Sequence, residues 1–457
     1  MNRWLNRMLS GMLAVPLAVL VVAVEVRAET LNEAFIAAYQ NNPTLLVARA
    51  ALRATDEQVP RALSGWRPTV IVISEFGKAE VETETAFFSS DEVRTPASVA
   101  LSIIQPVFSG GLTVAETRRA EYTVLADRAQ LRETEQTVLL RVAAAYLDVV
   151  REQQVLNLAI NNEERLKRQL QAARDRFEVG EVTRTDVAQA EARVSNAAAE
   201  RVSSKSNLNS SRAAYLSATG FLPVDLTTPL ALTGLPGSEL GSREIATKEN
   251  PIIWRALYVE RAARANIDAR MAVLLPTVDL NGEISRNEDT SSRGSLTTRS
   301  QITATVTIPL YQSGSEHSDV RAARELASQR RIEIELNRRS VLENVTRSWE
   351  SRLTAGAQII AFKDAVRAAE IALDGVEQEA VVGSRTILDV LDAEQELFDV
   401  RVDLVRAERD YVVAGYFLKA AIGRLSVSKL GLDVPIYDEI RHYNLVRDKF
   451  WGFGDVE

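Results

Sequence analysis

Asp389 and Asp392 are the residues whose type and spacing most directly suggest chemistry. They stand three apart in the run Val382-Gly383-Ser384-Arg385-Thr386-Ile387-Leu388-Asp389-Val390-Leu391-Asp392-Ala393, so on a helix they share one face. Two carboxylates so placed repel one another. Two solvated carboxylates on an exposed face would show the same spacing. Arg385 lies just before them, and a matching stretch in the first half of the chain offers Thr185 and Asp186. A surface arginine beside a turn contributes only ~0–1 kcal/mol through an ion pair. No catalytic arrangement accompanies these residues: the chain has no cysteine and two histidines, and it lacks a phosphate-binding glycine loop, a His-Glu-x-x-His pair and a Gly-x-Ser-x-Gly elbow. His317 opens a helix with no second histidine or cysteine near it and reads as a surface residue. An enzyme, a resident metal and a cofactor are therefore not expected.

The composition narrows the class further. The chain has 457 residues, 46 % hydrophobic but only 6 % aromatic, with a net charge of −8, whereas a duplex-binding protein should be basic. The apolar stretch from Met12 to Val24 contains Pro16 and is shorter than the roughly 20 residues a membrane helix needs. With Arg3 and Arg7 before it and Ala28 after it, residues 1–28 read as a signal peptide cleaved after Ala28. An exported, acidic chain without a membrane helix is periplasmic or an outer-membrane barrel.

The elements that would position the carboxylates come from an internal repeat. Asn42-Pro43 answers Asn250-Pro251, and Pro68-Thr69-Val70 answers Pro276-Thr277-Val278, at an offset of 208. Pro106-Val107-Phe108 answers Pro309-Leu310-Tyr311, Val179-Gly180 answers Val382-Gly383, Asp186 answers Asp389 and Gly220 answers Gly423, at an offset of 203. The change of offset falls between Pro68 and Pro106, in the loop of a hairpin, where length varies most freely. The expected order is a first repeat over 29–223, a linker over 224–248, a second repeat over 249–423 and a tail over 424–457. Each repeat carries a helix (Leu31 to about Ser64 in the first), a β-hairpin (about 68–108 and 276–311), a long helix (about 112–179 and 315–382) and a further helix (about 184–218 and 386–422).

Gly111 and Gly180 enclose 68 residues without proline or glycine, enough for a helix of ~100 Å. Leu139, Val142, Tyr146, Val149, Gln153, Leu156 and Ile160 alternate steps of three and four, the seam of a coiled coil. In the second hairpin Val278, Leu280, Gly282 and Ile284 alternate with Asp279, Asn281 and Glu283, and Ile302, Ala304 and Val306 alternate with Gln301, Thr303 and Thr305. That is the pattern of a transmembrane β-barrel and also of a half-buried soluble strand. The alternation is blurred in the first hairpin, where Ile71 and Ile73 interrupt it. Glu82–Pro96 and Arg286–Arg299 read as polar loops. Four strands cannot close a barrel, since about 8 are needed, and an open edge cannot face lipid. Membrane strands here would require an oligomer.

In these repeated landmarks the chain resembles the TolC-like outer-membrane channels of tripartite efflux pumps and type I secretion systems. The resemblance runs from about Thr30 to Gly423. It implies a mainly α protein with a small membrane β-barrel portion, built from duplicated coiled-coil helices with two hairpins per protomer. Three protomers would make a barrel of about 12 strands and a periplasmic tunnel of about 12 helices. It further implies that Asp389 and Asp392 form two carboxylate rings at the periplasmic constriction, giving cation selectivity and block by multivalent cations, with like-charge repulsion raising the pKa of each. By the same resemblance Arg385 bonds across helices to Thr185 and Asp186, latching the entrance closed. The family usually places a tyrosine in this latch where the chain has Ala380. Val179, Gly180, Val382, Gly383 and Thr386 would form tips that dock a periplasmic adaptor (membrane fusion) protein. An inner-membrane ABC or proton-driven transporter would supply energy, and lipid of the outer membrane would surround the barrel. With no N-terminal cysteine, the chain resembles the unlipidated branch. The rival readings are a periplasmic coiled-coil scaffold without a pore and a secreted enzyme. The tail, with His442-Tyr443 and Phe450-Trp451, carries no chemistry legible in its residues.

Overall fold

The structure, a computed structural model, describes residues 30–229, 232 and 234–453. The expected signal peptide lies outside the described residues. The first repeat runs α1 (Leu31–Asn41), α2 (Pro43–Asp56), α3 (Gln58–Leu63), β1 (Thr69–Phe76), β2 (Ala79–Thr85), β3 (Phe88–Arg94), β4 (Ala97–Ser109), α4 (Leu112–Glu178) and α5 (Arg184–Thr219). The second runs α6 (Glu239–Glu249), α7 (Pro251–Ala272), β5 (Thr277–Glu288), β6 (Leu296–Thr307), α8 (Ser315–Val381) and α9 (Ile387–Ala421), followed by α10 (Val427–Leu430) and α11 (Arg441–Val446). The end of the expected linker is thus helical: Ser238 caps α6, and Glu239 accepts a 2.6 Å hydrogen bond from Thr346 on α8.

α4 and α8 are both 67 residues long, ~100 Å at the α-helical rise. Both start after a left-handed glycine, Gly111 at φ 85° and Gly314 at φ 82°. Both end at another, Gly180 at φ 80° and Gly383 at φ 78°. At those ends Glu181 N–H donates to Arg176 O and Ser384 N–H to Glu379 O, each at 2.9 Å. This is the Schellman closure that a left-handed residue permits. α5 and the α1–α3 segment lie beside α4, while α7 and α9 lie beside α8 and also touch α4.

The expected single helix from Leu31 to Ser64 is divided at Asn42 and again at Glu57. The Asn-Pro landmark explains the first break. Asn42 Oδ1 accepts from Thr44 N at 2.9 Å, capping α2, and Pro43 fills the first helical position, where no N–H is needed. Asn42 Nδ2 donates to the carbonyl of Ala218, near the end of α5, at 2.8 Å. Asn250 does the same in the second repeat, accepting from Ile252 N at 2.9 Å and donating to Ala421 O at 2.8 Å. Each asparagine thus joins the start of its repeat to the end. Gly423 passes so close to this joint that a Cβ would stand 2.7 Å from Glu249 O, and its φ of +80° also disfavours other residues.

The coiled-coil seam holds through Leu139, Val142, Tyr146 and Val149, all buried beside Phe35, Leu52 and Tyr215. Beyond Val149 it shifts: Gln153, Leu156 and Ile160 are only half buried, and Glu152, Val155, Ala159, Leu166 and Ala173 are buried instead. The successive three-residue steps from Tyr146 to Val155 have the spacing of a stammer, which rotates the packing stripe around the helix.

The sheet has the order β1-β4-β5-β6 and is antiparallel throughout, so β1 and β6 are its open edges. Directly paired residues share a face, and the register settles the blurred strands. Val70 faces Ile103, Val72 faces Leu101, Leu101 faces Ile284 and Ile103 faces Gly282 opposite Ile302, forming one apolar face. Ser102, Glu283 and Gln301 align on the other, as do Asn281 and Thr303. Ile71, Ile73 and Ile104 are apolar exceptions on that polar face. The loop expected over Glu82–Pro96 is instead mostly the separate hairpin β2–β3, with Thr83 opposite Ser90. Much of Arg286–Arg299 is also paired, leaving a turn over 289–295.

The tail is ordered as a strap along the first repeat. Val427 N donates to Glu135 Oε1 at 2.8 Å, and Tyr437 N donates to Tyr39 Oη at 3.0 Å. The Arg49 guanidinium lies 4.5 Å from the Tyr39 ring and 5.0 Å from that of Tyr437. His442 Nδ1 is 3.1 Å from Asp56 Oδ2. Tyr443 packs on Val59, Ala120 and Val124. Arg67 Nη1 then donates to Lys449 O at 2.7 Å.

Candidate channel entrance

The two helix hairpins α4–α5 and α8–α9 end in tips of related geometry. After the glycine turn, Thr183 caps α5 and Thr386 caps α9, each in a capping box. Asp186 Oδ2 accepts from Thr183 N and Oγ1, both at 2.8 Å. Asp389 Oδ2 accepts from Thr386 N at 2.9 Å and Oγ1 at 2.8 Å. These are local reasons for a carboxylate three residues into each helix.

Asp389 and Asp392 lie in the first two turns of α9, as the spacing required, but their surroundings differ. The backbone N–H and hydroxyl of Thr386 hold the Asp389 carboxyl below its ordinary range, with a smaller contribution from Arg385. Asp392 instead pairs with Arg193 of α5, so a cation from the first repeat offsets its charge. Arg385 does not reach Thr185 or Asp186 within the chain. Its Nε donates to Glu379 Oε2 at 2.9 Å, six residues back, and both side chains are about half exposed. Such a pair is worth ~0–1 kcal/mol, so Arg385 can exchange this partner at little cost. Val179, Val382, Gly180 and Gly383 are exposed at the tips, as is Thr386.

Two further charged residues near the entrance escape a reading by pattern. Glu163 of α4 is buried and paired with Lys167 at 2.7 Å and with Arg201 of α5. Glu394 of α9 is 1 % exposed, with Arg165 Nε 3.3 Å away. It follows Ile387 and Leu391 at helical spacing, so a carboxylate at an apolar step was the signal available. Burial raises the Glu394 pKa from the ordinary 4.5, Arg165 opposes that shift and Glu377 adds to it. An acid with a raised folded-state pKa contributes most stability below its unfolded value and loses it as pH rises through the folded one. Glu394→Gln stays neutral, and Arg165 retains some solvent access. Thermal dissociation should therefore show the variant more stable than the parent at pH ~8 and equal to it at pH ~4; an equal shift at both pH values would refute the assignment.

Helical hairpins about 100 Å long, carrying an amphipathic sheet with two open edges at the other end, define a subunit of an outer-membrane channel with a periplasmic extension. The comparisons agree. The chain belongs to the outer membrane efflux protein family, whose sequence profile matches residues 36–220 and 244–424, one segment in each repeat. It is 36 % identical over 427 residues to outer membrane efflux protein BepC of Brucella suis, covering 93 % of this chain and 92 % of that one. It is 29 % identical over 411 residues to outer membrane protein TolC of Vibrio cholerae, covering 88 % and 92 %. Among solved structures, the CmeC outer membrane channel of Campylobacter jejuni superimposes with a TM-score of 0.79 at 15 % identity, covering 92 % of this chain and 89 % of that one. The protein is thus an outer-membrane channel component and not an enzyme.

Proposed function

We propose that three copies of the chain close into a passive export duct. The open edges of the four-stranded sheet carry this reading: β1 and β6 each present unpaired backbone groups, which cannot face lipid. A contact between β6 of one copy and β1 of the next is heterologous, and such contacts generate rings when the rotation closes. Three copies give a lumen lined by the Asn281, Glu283, Gln301, Thr303 and Thr305 face, while two give a barrel filled by its own side chains. Ile332, Leu336, Ile360 and Ile371 are exposed along α8 and supply an apolar face for a neighbouring helix. The cysteine-free chain allows a direct test. Cysteines scanned along β1 and β6 should cross-link into trimers that survive heating until the disulfides are reduced, and the uncross-linked trimer should carry a linear ion current in planar bilayers; monomers alone, or no current, would refute the duct.

The same reading gives the tips their roles. Asp186 uses Oδ2 for its cap, leaving Oδ1 for a guanidinium, so Arg385 closes the entrance by leaving Glu379 for Thr185 and Asp186 of the next copy. Ala380 adds no hydroxyl to this latch. Arg385→Ser is expected to raise single-channel conductance, and unchanged conductance would defeat the latch. Val179, Gly180, Val382, Gly383 and Thr386 dock a periplasmic adaptor, and an inner-membrane transporter supplies the energy for which this sequence has no nucleotide-binding loop. Efflux is favoured as the task, since BepC, with coverage of nine-tenths of both chains, is described as an efflux protein. A knockout tested for drug sensitivity and for loss of a secreted protein distinguishes efflux from type I secretion.

A further inference from the structure

The tail climbs toward the membrane strands. Its partners on α4 run from Glu135, through Arg128 stacked on Tyr443, to Glu121, which pairs with Arg447 at 3.7 Å. Those 14 helical positions are ~21 Å of rise. Its partners on the other side move in the same direction, from Tyr39 to Asp56 and then to Arg67. Arg67 stands two residues before β1. It holds Lys449 O and Phe450 O at 2.7 and 3.3 Å, with its guanidinium 5.1 Å from the Phe450 ring. At no more than ~3.6 Å of chain per residue, Phe450 and Trp451 are confined to the periplasmic rim of the sheet.

What the strap delivers there is strongly apolar. Trp451 is 88 % exposed, Phe450 is 64 % exposed and Phe453 is fully exposed, whereas Tyr443 lower on the same strap packs on α3 and α4. Arg67, Arg447 and Lys449 lie nearby, balanced by Asp448 and Glu121 and, further along the sequence, by Asp455 and Glu457. Large exposed aromatic residues held at such a rim suit the boundary between headgroups and acyl chains. We propose that Phe450, Trp451 and Phe453 form an interfacial anchor that rests in the periplasmic leaflet of the outer membrane, so that the tail ties the helical body to phospholipid. The anchor rests on the membrane reading of the sheet, which fixes where the rim lies. A neighbouring copy and the lumen are the rival occupants that the test below separates from lipid.

The test uses the full-length trimer in vesicles of phosphatidylethanolamine and phosphatidylglycerol. A spin label is placed singly by Phe453→Cys, Ile302→Cys on the apolar sheet face, or Arg441→Cys on α11, in a chain with no other cysteine. The label at 302 should collide more with oxygen than with a soluble nickel chelate, and the label at 441 the reverse. The label at 453 should follow 302, with a smaller excess of oxygen collisions. If 302 behaves as lipid-exposed but 453 matches 441, the tail is in water or in the lumen and the anchor is refuted. If 453 is shielded from both reagents, a neighbouring subunit covers it and the anchor is equally refuted. If 302 itself is not lipid-exposed, the membrane reading fails, and the anchor with it.

Discussion

Replacing Asp389 and Asp392 together by asparagine should remove most of the cation selectivity of the trimeric channel. Block by divalent and trivalent cations should weaken roughly tenfold or more, equivalent to ~1.4 kcal/mol of lost binding free energy. Asparagine is preferable to alanine at position 389 because its Oδ1 can still accept the cap bonds from Thr386 N and Oγ1, so the charge is removed and the helix start is kept. The two positions should not contribute equally. Thr386 holds the Asp389 carboxyl in its ionised form, and its nearest cation, Arg385, already pairs with Glu379. Asp392 is partly neutralised by Arg193. Asp389→Asn alone should therefore cost more selectivity than Asp392→Asn alone. Arg193→Ala should act in the opposite sense, exposing Asp392 and strengthening cation block. Bilayer recordings under an ion gradient, with a multivalent cation added on one side, measure all four variants; selectivity and block unchanged in the double variant would refute the carboxylate rings.

What could be read without coordinates depended on whether a signal was local. Gly111 and Gly180 bracket α4 almost to the residue, because the chain takes a left-handed turn at each end, a conformation that glycine adopts without strain. The alternation over 277–285 and 301–307 likewise placed β5 and β6. The first hairpin was blurred because Ile71 and Ile73 lie on the polar face, and only the pairing of Val70 with Ile103 and Val72 with Leu101 separates the faces. β2 and β3 escaped recognition because Glu80, Glu82 and Glu84 alternate with Val81, Thr83 and Thr85 around no core, leaving little hydrophobic contrast. The seam beyond Val149 was misplaced because the buried register passes through Glu152, a residue that a search for apolar positions skips. The tail was illegible for a different reason: Tyr39, Asp56 and Arg67 hold it from nearly four hundred residues away, and contacts of that range leave no period. At the entrance the shared face of Asp389 and Asp392 was legible. The partners Arg193 and Glu379 were not, since one lies on another repeat and the other across a turn.

Removing both joints between the start and end of the repeats should destabilise the helical body more than either loss suggests for an exposed cap. Asn42→Ala removes the bond that caps α2, typically ~1 kcal/mol. It also strips the carbonyl of Ala218 of the Asn42 Nδ2–H at a buried site, and an unsatisfied buried acceptor costs ~1–3 kcal/mol. Asn250→Ala repeats the cap loss at Ile252 N and removes the donor to Ala421 O at a partly buried site, where the cost falls toward the low end of that range. The two sites share no hydrogen-bond partner, so the double variant should lose ~4–6 kcal/mol in total, with near-additivity. Asp in place of Asn separates the two functions. Its carboxylate can still cap α2 or α7, but it cannot donate to the Ala218 or Ala421 carbonyl and instead sets a negative charge against it. If the joint matters more than the cap, Asn42→Asp and Asn250→Asp should be at least as destabilising as the alanine variants. Thermal dissociation of the purified trimer decides between them: stability near the parent in the aspartate variants would show that the asparagines serve only as caps, and that the Asn-Pro landmark recurs for the sake of helix starts alone.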